Sequence, residues 1–172
     1  MKTRLFTQIG GFGLLSLSLL AGTVRAPDNS ASFTAVLTGD VKTTISGDAR
    51  FGQVRGGPSA PDVFSLSLGA DGPRGAVLFT YPSRSGLNVG SYRVAEAGSP
   101  NGELQALVVL GSVNQPEGVF RGTAGTLTIT SVSDVEITGL FSVNADGFLA
   151  SASDRENRPV SVSGSFVARR GN

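Results

Sequence analysis

The sequence predicts an all-β chain: a single antiparallel β-barrel or closed sandwich of about 8–10 strands, preceded by a signal peptide. Three observations carry that prediction. The first is the stretch from Gly125 to Ala145, GTLTITSVSDVEITGLFSVNA. Leu127 and Ile129 alternate with Thr126, Thr128 and Thr130. Val135, Ile137, Gly139, Phe141 and Val143 then share a face opposite Glu136, Thr138, Ser142 and Asn144. Strict period-two alternation marks a strand with one buried face, and Ser131-Val132-Ser133-Asp134 supplies turn formers between the two runs. The second observation is composition: 24 glycines, only 16% charged residues, and an abundance of Val, Thr, Ser and Phe, as expected of strands joined by tight turns. The third is the absence of any convincing amphipathic helical pattern.

Taken in order, residues 1–26 have the layout of a secretory signal. Lys2 and Arg4 give a positive start, and Ile9 to Leu20 an apolar run too short and glycine-rich to span a membrane. Cleavage after Ala26 or after Gly22 both fit. Leu20-Ala21-Gly22 resembles the start of a lipobox, but Thr23 stands where the acylated Cys should be. The expectation is therefore free export, to the periplasm or the exterior, without a lipid anchor. Residues 27–32 read as a flexible lead-in, 33–169 as the β domain, and 170–172 as a C-terminal tail, with Arg169-Arg170 as solvated charge.

Within the domain, Phe33 to Thr38 alternates. Val41 to Phe51 reads as one strand carrying Ile45, Gly47, Ala49 and Phe51 on one face. Gly52 to Asp62, with its glycines and prolines, reads as a loop. Val63 to Leu68 and Gly75 to Tyr81 form a hairpin about Asp71-Gly72-Pro73. Asn88 to Val94 is a short strand, and the apolar run Glu103 to Leu110 a central one. Asn114 to Gly118 reads as a turn into Val119 to Thr130. After Ala145, Asp146-Gly147 reads as another turn, followed by a short strand through Phe148, Ala150 and Ala152. Ser153 to Pro159 is a charged loop and Val160 to Ala168 the last strand.

Composition also excludes chemistry. The chain has no Cys and no His, which removes disulfides, thiolate nucleophiles, Cys/His zinc sites and Ser-His or Cys-His catalysis. Basic residues number 14 and acidic ones 13, and Lys2, Arg4 and Arg25 belong to the leader. The remainder is slightly acidic, which does not suit nucleic acid. The carboxylates lie mostly in turns: Asp40, Asp62, Asp71, Asp134, Asp146, Asp154 and Glu156. A hydrolase could use only such carboxylates, since a glycosidase needs two facing across a cleft. Turn chemistry accounts for them more simply. No metal motif, cofactor motif or catalytic residue is found, and Asn144 to Gly147 lacks calcium-loop spacing.

The last strand echoes the hairpin. Val135-x-Ile137-x-Gly139-x-Phe141 matches Val160-x-Val162-x-Gly164-x-Phe166, and Gly90 stands before Tyr92 at the same spacing. A glycine on the face of its aromatic neighbour permits a sharp bend or the close approach of a ring. Gly139, Phe141, Gly164, Phe166, Gly90 and Tyr92 are therefore expected to serve structure, the alternative being glycines that make room for a ligand. Gly90-Ser91-Tyr92, Gly125 to Thr130, Ile137 to Val143 and Val162 to Phe166 together resemble a group of exported or lipid-anchored bacterial β-proteins of uncharacterised function with a GTLTIT…ITGxFS hairpin. The resemblance covers roughly the C-terminal half, implies a β fold, and supplies no catalytic residue.

The functional expectation is a non-enzymatic exported protein, without cofactor, that binds a small apolar ligand or an envelope component. The ligand would lie in or at the mouth of the barrel, with Tyr81, Tyr92 and the Phe residues as candidate lining. The alternative is a structural or adhesive cell-surface module, and behind it the carboxylate-only hydrolase.

Overall fold

The computed structural model describes residues 30–56, 61–83, 86–96, 103–152 and 157–171. The leader-like segment and the carboxylates Asp154 and Glu156 lie outside these. The strands are β1 (Ser32–Gly39), β2 (Thr43–Gly47), β3 (Ala49–Val54), β4 (Val63–Leu68), β5 (Gly75–Pro82), β6 (Gly90–Val94), β7 (Gln105–Ser112), β8 (Gln115–Val132), β9 (Glu136–Leu149) and β10 (Arg158–Arg170). All belong to one 10-stranded sheet, almost wholly antiparallel.

The three longest strands, β8, β9 and β10, lie side by side, with β9 between the other two. Each outer one is long enough to take two shorter strands end to end along its free edge. β8 pairs with β7 through Gln115–Arg121 and with β6 through Gly125–Ile129. β10 pairs with β1 through Val160–Val167, then with β3 at Arg169 and Arg170. From β3 the pairing runs through β4, β5 and β7 back to β8. The sheet thus curls into a barrel-like ring, closed unevenly. Its narrowest seam is the parallel contact Arg169↔Arg50 and Arg170↔Phe51, extended by the Gly171 amide donating to the Phe51 carbonyl at 2.8 Å.

Alternation places one apolar residue in two on the inside. Phe33, Ala35 and Leu37 of β1, Phe64, Leu66 and Leu68 of β4, and Ile137, Phe141 and Val143 of β9 are all buried. Among the described residues no polar or charged side chain is buried. Phe79 and Phe141 meet edge to face across the interior, 5.4 Å between centroids. The interior is thus a packed core, one of the two outcomes open to a small barrel.

Four phenylalanines stand opposite glycines in the register: Phe33↔Gly47, Phe120↔Gly147, Phe141↔Gly164 and Phe166↔Gly139. The two echoed motifs are thereby cross-paired, and the Phe166 ring lies against Gly139. A ring laid over a strand glycine covers backbone that would otherwise lack packing, and it tightens the coil of the sheet.

Several sequence expectations are corrected. Residues 41–51 are two strands, because the chain changes partners at Asp48: β2 pairs with β1, whereas β3 pairs with β4 and β10. The Asp48 carbonyl accepts from the Gly69 amide at 2.7 Å at that corner. Asp146-Gly147 does not turn. β9 continues to Leu149, since Asp146 and Gly147 are paired on both sides, with Arg121 and Phe120 of β8 and with Pro159 and Arg158 of β10. Phe148 is consequently exposed at the end of β9, and Ala150 lies in the turn beyond it. β8 already begins at Gln115, so the turn from β7 is confined to Val113-Asn114. Val135 sits in the β8–β9 turn at 67% exposure, off the buried face. Arg169 and Arg170 are strand residues at the seam, not a tail.

Candidate functional site

With the interior filled, any candidate site lies in a depression of the surface. A cleft of about 320 Å³ opens where the β8–β9 turn, the outer ends of β3 and β10, and the segment around Leu87 converge. Phe51, Phe64, Leu87 and Ile137 form its floor, and Gln53, Val132, Asp134 and Arg170 stand around it.

Each wall is held by local chemistry. At the β8–β9 turn, the Ser133 hydroxyl accepts from the Glu136 amide at 3.0 Å and donates to the Glu136 carbonyl at 3.1 Å. The Ser133 amide also donates to that carbonyl at 2.8 Å. A serine bonding to its own turn is a common way to fix a short connection. The turn so fixed aims the Asp134 carbonyl outward, where it accepts from Arg170 Nε at 2.7 Å. The Arg170 amide donates to the Val135 carbonyl at 3.0 Å. The guanidinium lies over the Phe51 ring, 5.5 Å from its centroid, a favourable cation–π placement. Phe51 in turn stacks on Phe64, 6.2 Å apart with 30° between planes. Opposite, the Ser83 hydroxyl donates to the Gly86 carbonyl at 3.0 Å and shapes the approach to Leu87.

The rim at this end is mixed, with exposed valines near Asp134 and Arg170. Val54, Val89, Val132 and Val135 are 59%, 64%, 40% and 67% exposed, and each lines the cleft or lies within two residues of a lining residue. A wider depression of about 640 Å³ lies beside it, between Asp48, Arg50, Arg169 and Arg170. Two of its charges already have partners: Arg50 pairs with Asp71 at 3.3 Å and Arg169 with Glu136 at 3.9 Å. We place the candidate site in the smaller cleft, whose floor is apolar and whose edge carries Asp134 and Arg170.

None of Gly139, Phe141, Gly164, Phe166, Gly90 or Tyr92 lines the cleft. The first four belong to the β9/β10 packing. Tyr92 packs edge to face on Tyr81 at 5.7 Å, and its hydroxyl accepts from the Asn88 amide at 2.7 Å and donates to the Asn88 carbonyl at 3.0 Å. Neither tyrosine lines the cleft, whereas Phe51 and Phe64 do. Of the turn carboxylates, Asp134 alone among the described residues stands at the cleft. Asn144, considered for calcium, instead accepts from the Ser161 hydroxyl at 2.9 Å, and the described residues contain no group of three or more metal-ligating side chains. Arg170 is the cleft residue that sequence reasoning missed. The signal was its parity: Val160, Val162, Gly164, Phe166 and Ala168 form the inward series of β10, and Arg170 is next in it. No described helix is long and apolar enough to cross a membrane. Comparisons with family models, curated proteins and solved structures give no match, so the reading of this site rests on its own geometry.

Proposed function

We propose that this chain is a non-enzymatic, exported binding protein that takes a small, largely apolar molecule at the mouth beside the β8–β9 turn. The observation that carries the reading is the coincidence of the cleft with the exposed valines. Val132 lines the depression floored by Phe51, Phe64, Leu87 and Ile137, and Val54, Val89 and Val135 lie within two residues of its lining along the chain. Exposed apolar residues gathered about a concavity mark interaction sites, and a volume of about 320 Å³ falls at the lower end of the range for small-molecule pockets. Export is supported by the leader-like residues 1–26, which place the ligand among molecules of the envelope or its surroundings.

The test exploits the molecule's two ends. Val113 and Phe148 are exposed, at 42% and 49%, away from this cleft. An environment-sensitive apolar dye should lose about tenfold in affinity with Val132→Asn plus Val135→Asn, about 1.4 kcal/mol. It should bind unchanged with Val113→Asn plus Phe148→Asn. The reverse pattern would move the site elsewhere.

A second reading, an adhesive surface module, draws on the outer face of the long strands. Thr34, Ser165, Leu140, Thr128 and Ser91 form one continuous cross-strand row. Val36, Ser163, Ser142 and Thr126 form the next. The second row continues to Arg93 of β6, the one charge in the two rows. If this face is the functional one, Leu140→Lys would abolish surface attachment, whereas the mouth variants would not.

A further inference from the structure

We infer that the molecule taken at the mouth is an amphipathic monoanion, with its apolar part on Phe51, Phe64, Leu87 and Ile137 and its head group on Arg170. This rests on the mouth being the binding site. The argument starts from how Arg170 is held. Nε donates to the Asp134 carbonyl and the guanidinium carbon stands over the Phe51 ring, 5.5 Å from its centroid. These contacts restrain the side chain, and no hydrogen bond or ion pair among the described residues takes up its terminal nitrogens. The neighbouring arginines are matched by carboxylates, Arg50 by Asp71 and Arg169 by Glu136. Arg170 forms no ion pair among the described residues. A fixed planar guanidinium beside an apolar floor suits a carboxylate or another forked oxyanion.

Two further features narrow the class. The Asp134 side chain belongs to the same lip, and its negative charge disfavours a head group carrying more than one. The volume of about 320 Å³ lies at the lower end of the range for small-molecule pockets. That fits one short chain or a small ring system and is too small for a bilayer surface. The occupant is therefore a free single-chain or single-ring acid, such as a medium-chain carboxylate.

The test uses the unaltered chain and probes of one length, decanoate, decanol, decylamine and decyl phosphate, titrated calorimetrically below their aggregation concentrations. Decanoate should bind at least about tenfold tighter than decanol, with decyl phosphate weaker than decanoate and decylamine weakest. Arg170→Gln should bring decanoate down to decanol, and Arg170→Lys should fall between. A melting curve for each variant checks that the seam is intact, and the probe series on the unaltered chain needs no variant. Equal binding of decanoate and decanol would overturn the anion assignment and leave the mouth reading standing. No binding by any probe would overturn both. Binding to anionic phospholipid vesicles without binding to decanoate would overturn the free-acid assignment in favour of a membrane surface.

Discussion

Gly139 and Gly90 are spelled alike, each two residues before an aromatic, and they do opposite work. Gly139 has ordinary strand φ, but a Cβ there would collide with the Thr128 carbonyl oxygen and meet the Phe166 ring at 2.8 Å. Gly164 is similar: a Cβ would collide with the Thr34 carbonyl oxygen and stand 2.9 Å from the Ala35 Cβ. Gly90 has open space around it, with nothing within 4 Å, but its φ is +151°, a conformation that side chains resist. The first two glycines provide room, and the third provides backbone freedom. Sequence spacing does not distinguish these causes, because volume depends on the strand next door and φ on the chain's own path.

The comparison can be tested in a graded series by urea unfolding. The largest effect should come from the ring that occupies the room. Phe166→Ala should destabilise by about 3–5 kcal/mol, as for a buried phenylalanine truncated in a packed core. Gly139→Val should follow at about 1–3 kcal/mol through overpacking, and Gly139→Ala should lose less. Gly90→Ala and Gly90→Val should each lose about 1–2 kcal/mol, since the penalty is in φ. The critical feature is the trend: the loss grows with side-chain size at residue 139 and stays level at residue 90. A size dependence at residue 90 would erase the distinction. The smallest effect should be Tyr92→Phe, at about 1 kcal/mol or less, because the hydrogen bonds it removes are exposed.

These glycines also show how far the sequence carried. Alternation is a local property, so most strands were legible from it, including the inward faces of β1, β4, β8 and β9. The errors fall where partners override local signals. Asp146-Gly147 has turn chemistry, but pairing with Phe120 on one side and Arg158 on the other holds Gly147 in a strand. Asp48 divides a continuous pattern because β2 and β3 have different neighbours, although Ile45, Ala49 and Phe51 still point inward. The candidate site was hardest to see. Phe51, Phe64, Leu87, Ile137 and Arg170 come from five separate parts of the chain and share no motif. Only the place of Arg170 in the inward series of β10 hinted that its charge was aimed at the barrel's end.

The seam between β10 and β3 has a consequence for the order of events during synthesis. Arg50 and Arg169 stand near opposite ends of the described chain, and the contact between their strands spans only two residue pairs. Loop closure over such a separation is slow relative to hairpin formation. The hairpins β4–β5, β7–β8 and β8–β9 can form as they emerge, whereas the ring must wait until residues near 170 are available. Until then β3 has a bare edge able to accept a strand from another copy. A chain ending at Ala168 would be held in that unfinished state, and it should appear in light scattering as a concentration-dependent aggregate rather than a smaller monomer.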